Sequence, residues 1–301
     1  NKAQADGVIC VSDNAHEVIH SAGNPRVREY RECVAKGIPG AVPLEGVRLV
    51  GDALAVGVGM SAVYVTEGVL ADDAIGAVVD TACRAGSPVY VVSDRVGHSM
   101  GATVNPQGLF ALARWSPGTG RAVLEQVATR TDTGASFVVL LDGVQDPGNV
   151  GTIVRSAAAL GAAAVVAGAG SADPANPKVV RASMGAVFRI PVAREVSLPR
   201  LMAWAAGRGW TALASHVDPT DSICVDELPW PEADGELPAG SVSWPRALVV
   251  IGSEAHGVSR GCLEQCSHAI HVPMARDVES LNAATAAAII MYELGRRARG
   301  Q

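Results

Sequence analysis

FVVLLDGVQDPGNVGTIVRSAAAL, residues 137–160, reads as a buried strand, a polar loop and a helix in direct succession. Phe137 to Leu141 is an unbroken apolar run of strand length, and such runs belong to strands covered on both faces. Gly143, Pro147 and Gly148 mark a turn. From Asn149 onward, Ile153, Ala157 and Leu160 fall on one side of a helix. A strand, a short loop and a helix make the repeating unit of a parallel sheet.

That unit recurs towards the C-terminus. Strands are expected at residues 163–166, 189–192, 211–215, 247–251 and 270–272, and helices at 177–184 and 198–207, with a closing helix from Leu281 to Arg299. Residues 136–301 thus read as an α/β domain with a mostly parallel sheet. Upstream, helices at 26–36, 47–56 and 72–84 alternate with strands at 62–65, 88–92 and 108–115, which argues a small α/β/α layer domain over residues 23–115. Residues 1–22 have no sustained period and read as a tail. Residues 116–135 are rich in Gly, Ser and Thr and read as a linker.

Composition narrows the class. Hydrophobic residues are 49% of the 301 and aromatics only 4%, so the cores must come mainly from Val, Ala, Leu and Ile. No stretch reaches the roughly 18 apolar residues of a membrane span, and residues 1–20 lack a basic stretch followed by an apolar one; a cytoplasmic protein is expected. Cys262, Cys266 and His268 lie close together, but no second cysteine pair sits at ligand spacing, and a closed zinc site needs four ligands. No metal is expected.

The formal net charge of −6 speaks against nucleic acid only if charge is evenly spread. It is not. Residues 25–48 hold Arg26, Arg28, Arg31, Lys36 and Arg48 against three acids, and residues 176–200 hold Lys178, Arg181, Arg189, Arg194 and Arg200 against Glu195 alone. Either cluster taken singly is also what a solvated surface looks like.

Three loops follow strands in the second half, the first two punctuated by glycine: residues 142–152, residues 252–258 and residues 273–284. Ligands bind beyond the carboxyl ends of strands in open α/β sheets, so three such loops can form one pocket. The dinucleotide fingerprint, the phosphate-binding loop and the serine-hydrolase elbow are all absent.

At these residues the chain resembles the SpoU family of RNA 2′-O-ribose methyltransferases, within the SPOUT class. Asp142, Asp146, Pro147, Asn149, Gly151 and Arg155 meet D-x-x-x-D-P-x-N-x-G-x-x-x-R; Gly252, Glu254 and Gly257 meet G-x-E-x-x-G. Pro273, Met274, Ser280, Leu281, Asn282 and Ala286 meet P-M-x-x-x-x-x-S-L-N-x-x-x-A, and Lys178 to Ala186 resembles K-x-x-R-A-S-x-G-A. Asn24 to Val27 and Leu44 to Val50 resemble the opening of the ribosomal-protein-like RNA-binding domain that precedes the catalytic domain. Pro43 departs from the pattern, and proline confines its strand to an edge or shortens it.

The resemblance implies a deep trefoil knot, which composition and periodicity would not suggest, a homodimer and S-adenosylmethionine as methyl donor. It implies methylation of a ribose 2′-hydroxyl in ribosomal RNA of the large subunit, with antibiotic resistance and housekeeping modification both compatible. A transfer-RNA enzyme of the same class and a non-catalytic RNA-binding dimer are the alternatives. Cofactor contacts fall to Gly252, Ser253, Glu254, Gly257, Ile270, Met274, Leu281 and Asn282. Arg155, Asn149, Glu254, Asn282 and Ser280 are the implied catalytic group, and Arg26, Arg28, Arg48, Arg155, Lys178 and Arg181 the RNA contacts. Arginine stays protonated in proteins, so Arg155 is expected to clamp a phosphate or steady a developing oxyanion rather than act as a base. His256 and His271 read as structural.

Overall fold

The computed structural model describes residues 18–102, 106–129, 136–216, 218–228, 246–275 and 280–298. The chain divides into two compact units, Asn1–Ser116 with Ala175–Pro177, and Pro117–Pro174 with Lys178–Gln301.

In the first unit the order is α1 (Pro25–Lys36), β1 (Ala41–Glu45), α2 (Val47–Ala55), β2 (Met60–Thr66), α3 (Asp73–Arg84), β3 (Val89–Val92), α4 (Asp94–Met100) and β4 (Leu109–Arg114). The sheet runs β1-β4-β2-β3. β1 pairs with β4 alone, placing Pro43 opposite Leu112, so the proline sits on an edge strand where a missing N–H costs least. Aromatics, scarce in the chain, gather here: Tyr30 meets Tyr64 and Phe110 edge-on, with ring centroids 5.9 and 5.7 Å apart. Part of the expected tail is tied down, since Ile19 N donates to Val91 O and Ile19 O accepts from Ser93 N.

The second unit contains β5 (Gly118–Thr119), α5 (Gly120–Ala128), β6 (Ser136–Asp142), α6 (Pro147–Leu160), β7 (Ala164–Gly168), α7 (Pro177–Ala182), β8 (Val192–Glu195) and α8 (Leu198–Ala206). β9 (Thr211–Ser215), β10 (Ile223–Cys224), β11 (Arg246–Gly252), α9 (Arg260–Leu263), β12 (His268–His271) and α10 (Ala283–Ala298) complete it. Its sheet runs β10-β12-β9-β11-β6-β7-β8-β5, and every described strand pair is parallel. From β6 the chain builds outward through β7 and β8, then crosses to the other side for β9. The carboxyl ends of β6, β11 and β9 therefore flank the reversal of strand order, where α/β sheets open a crevice.

Two expectations are corrected. Residues 118–128, expected as linker, form β5 and α5, and Val123, Leu124 and Val127 are buried against the sheet. Thr119 caps α5 by accepting from Ala122 N at 3.4 Å. Leu124→Ala is expected to cost about 2–5 kcal/mol, the range for a truncated core leucine; chemical denaturation measures it, and a change near zero would mean that α5 carries no stability. The strand expected at residues 189–192 lies later, at Val192–Glu195, because Ala186–Phe188 form a 3-10 turn after the left-handed Gly185.

Candidate active site

The first loop is held at both ends. Asp146 caps α6, its Oδ1 accepting from Asn149 N at 2.8 Å, with Pro147 in the first turn. Gly151 lets α6 and α7 touch: a Cβ there would stand 2.5 Å from Ala182 Cβ and 2.7 Å from Val179 O. That contact fixes the helix carrying Asn149 and Arg155.

The second loop folds back on itself. Ser253 N donates to Gly257 O at 3.0 Å and Gly257 N to Ser253 O at 2.8 Å. Gly257 has φ +65°, in the left-handed region that favours glycine. A Cβ on Gly252 would fall 2.1 Å from Gly257 C. Asp142, at the end of β6, accepts from Ser259 N at 2.7 Å and so ties the loop's exit to the first loop.

The third loop delivers Ser280, Leu281 and Asn282 to the start of α10. Asn282 is the cap of that helix, its Oδ1 accepting from Ala284 N at 3.0 Å and Thr285 N at 3.2 Å. Its Nδ2 therefore turns away from the helix, donating to Glu254 Oε1 at 2.6 Å and Asn149 Oδ1 at 3.1 Å. Asn149 Nδ2 reaches the same Glu254 Oε1 at 3.0 Å, and Ala283 N does so at 3.2 Å. Residues from three loops thus meet on one carboxylate oxygen.

Beside this cluster lies a cavity of about 410 Å³. Its apolar wall comes from Ile251, Val258, Val272, Met274, Leu281 and Ile290, and Ser253, Glu254, His256 and Ser280 supply polar groups. Of the expected cofactor contacts, Gly252, Ser253, Glu254, Gly257, Met274 and Leu281 line it. Ile270 and Asn282 do not: Asn282 is turned to Glu254 and Asn149, and Ile270 is fully buried in β12, its carbonyl accepting from His216 N at 2.8 Å. Ser215 and His216, at the end of β9, line the cavity without having been anticipated, and so does His256. Only the neighbouring position of β9 and β11 in the sheet reveals the first two. His271 instead bonds Ser222 Oγ through Nδ1 at 2.9 Å.

The expected RNA contacts fall into two groups. Arg26 stacks 4.3 Å from the Tyr90 ring centroid and donates to the Tyr90 hydroxyl. Arg28 and Arg48 are exposed, each in a loose helix pair, with Glu32 at 4.0 Å and Asp52 at 3.9 Å. Arg155 and Lys178 are exposed and Arg181 half-buried, on α6 and α7.

Among the described residues no group of three or more His, Cys, Asp or Glu could hold a metal, and no helix is long and apolar enough to cross a membrane. Burial pushes the Cys262 thiol up to about 11 and the Cys266 thiol up to about 12.

Residues 136–292 match the sequence profile of the SpoU rRNA methylase family. The chain belongs to that family. Residues 43–116 match a second profile, described as the substrate-binding domain of RNA 2′-O ribose methyltransferases. An uncharacterized tRNA/rRNA methyltransferase from Synechocystis is 32% identical over 288 residues, 93% of each chain. The crystal structure of an AdoMet-bound rRNA methyltransferase from Sinorhizobium meliloti superposes with a TM-score of 0.74 at 25% identity, over 93% of this chain and 97% of that one. A crystal structure of an RNA 2′-O ribose methyltransferase does so with a TM-score of 0.71 at 26% identity, over 94% and 99%.

This SpoU protein is therefore an S-adenosylmethionine-dependent RNA methyltransferase. Its cavity fits a cofactor of that kind: its lining offers an apolar wall, a glycine-bounded loop whose backbone can approach closely, and polar groups from Ser253, Glu254 and Ser280.

Proposed function

We propose that the protein methylates a ribose 2′-hydroxyl in large-subunit ribosomal RNA. The observation that carries this reading is the knot of amides on Glu254, which sets Asn149 and Asn282 beside the cofactor-sized cavity. Amides donate and accept, so they can orient a sugar hydroxyl. The match of residues 43–116 to the 2′-O ribose substrate-binding domain supports it, and the presence of that whole unit favours ribosomal over transfer RNA.

When bound, S-adenosylmethionine supplies an electrophilic methyl group. The chain's own residues do the rest. Gly252, Ser253 and Gly257 present loop backbone to the cofactor, while Met274 and Leu281 enclose its apolar part and exclude water. Asn149 and Asn282 orient the hydroxyl with Ser280 nearby, and Arg155 meets the phosphate and the charge developing on oxygen. Arg28, Arg48, Lys178 and Arg181 hold the RNA backbone.

Two further features belong to the same reading. The chain is threaded as a trefoil knot, in keeping with β11 lying between β9 and β6, which both precede it. It also works as a homodimer through α10, where Ile289 and Tyr292 are 37% and 55% exposed; sedimentation at the mass of two chains is expected, and a monomer at micromolar concentration would contradict it.

The test of the function is labelled methyl transfer to large-subunit, small-subunit and transfer RNA in parallel, followed by alkaline hydrolysis. One alkali-resistant linkage in large-subunit RNA is the expected product. Transfer to transfer RNA alone, or alkali-sensitive product, would overturn the reading.

A further inference from the structure

Methylating a hydroxyl leaves a proton to be removed, and a guanidinium such as Arg155 does not take it. Most acceptors around the cavity mouth are engaged. Asn282 Oδ1 holds two α10 amides, and Asn149 Oδ1 holds Asn282 Nδ2. Asp142 and Asp146 hold Ser259 N and Asn149 N and do not line the cavity. Glu254 differs. Its Oε1 receives Asn282 Nδ2, Asn149 Nδ2 and Ala283 N, which fixes the plane of the carboxylate. Its Oε2 has no hydrogen-bond partner among the described residues, on a side chain that is exposed and lines the cavity.

We propose that Glu254 Oε2 is the proton acceptor for the RNA hydroxyl, an assignment that rests on the 2′-hydroxyl reading above. The hydroxyl oxygen forms the new O–C bond with a lone pair. The C–S bond breaks with its electron pair left on sulfur, giving a neutral thioether. The O–H pair returns to oxygen as the proton passes to Oε2 and then to solvent, so the positive charge that arrives on the sulfonium leaves as the proton. The hydroxyl becomes strongly acidic as the O–C bond forms, and a positioned carboxylate is base enough to receive it.

Among the described residues, the other charged or titratable groups on the surrounding elements are Asp142 and Asp146 beside α6, Arg155 along α6, His256 in the same loop and His216 at the end of β9. α10 carries its charges, Glu293, Arg296 and Arg297, at its far end. The ring nitrogens of His216 and His256 make no hydrogen bond among the described residues, so neither ring is held as Glu254 is.

Glu254→Gln separates chemistry from scaffolding. The glutamine Oε1 can still accept the three donors, which turns its amide nitrogen outward and removes the base. Turnover is expected to fall on the order of 10²-fold, with S-adenosylmethionine affinity retained. A base must be ionised, so an acid limb of wild-type turnover that belongs to this carboxylate should vanish in Glu254→Gln and survive, at reduced rate, in Glu254→Asp. Wild-type turnover in Glu254→Gln, or an acid limb that persists in it, overturns the assignment, as does a Glu254→Asp enzyme that has lost the limb. A wild-type product that is not methylated on ribose would instead remove the 2′-hydroxyl reading itself.

Discussion

Arg155→Ala is expected to lower turnover on the order of 10²–10³-fold, the usual cost of one preorganised partner of a developing oxyanion. Affinity for S-adenosylmethionine should hardly change, because Arg155 does not line the cavity. It projects from α6 as an exposed side chain, with no ion-pair partner among the described residues. An arginine kept clear of internal partners is available to the RNA. Arg155→Lys refines the result: lysine keeps the charge but loses the planar fork, so rescue by lysine means that a point charge suffices. A role confined to phosphate would weaken RNA binding and lower its salt slope by about one. Single-turnover kinetics beside calorimetric titration of the cofactor distinguish these outcomes, and wild-type turnover in Arg155→Ala would make it an ordinary solvated residue.

Gly252→Ala is expected to abolish measurable cofactor binding. The added Cβ would stand 2.1 Å from Gly257 C, and 2.3 Å from both Gly257 O and Val258 N. All three are backbone atoms, so no rotamer change relieves the clash. The Ser253–Gly257 turn must open, and with it the wall of the cavity and the placement of Glu254. Gly257→Ala makes the contrast, because nothing lies within 4 Å of its added Cβ. Its cost is the left-handed backbone alone, about 1–2 kcal/mol, and binding should be weakened rather than lost. Calorimetry reads both, with circular dichroism to show that the rest of each variant is folded. Unchanged affinity in Gly252→Ala would mean that the cofactor lies elsewhere.

Where local signals are strong, sequence pattern and structure coincide. The runs at residues 137–141 and 247–251 became β6 and β11, and residues 211–215 became β9 without adjustment. Pro43 announced an edge strand because its missing donor is a local property. α5 was hidden because its neighbours, Gly118, Gly120 and the threonines near residue 130, look like a linker; only burial of Val123, Leu124 and Val127 makes it a core helix. α4, a seven-residue helix capped by Ser93, was too short to show a period.

The site was legible as residue types but not as geometry. Glu254 lies 105 residues from Asn149 and 28 from Asn282, so their meeting follows from strand order rather than from spacing. The same holds for Ser215 and His216. Ile270 shows the converse: its place beside the third motif suggested the cavity, but pairing on both sides puts it inside the sheet. Within the third motif it is Asn282 that caps α10, a role its residue type allows but its spacing does not reveal.

The central claim is that the methyl group lands on a ribose oxygen. The most direct measurement is mass spectrometry of nucleosides from large-subunit ribosomal RNA treated with the protein and a methyl-deuterated donor. Fragmentation at the glycosidic bond separates sugar from base. The label should stay with the sugar, in a single nucleoside, and disappear from the product of Arg155→Ala under the same conditions. Label found on the base fragment would contradict the account.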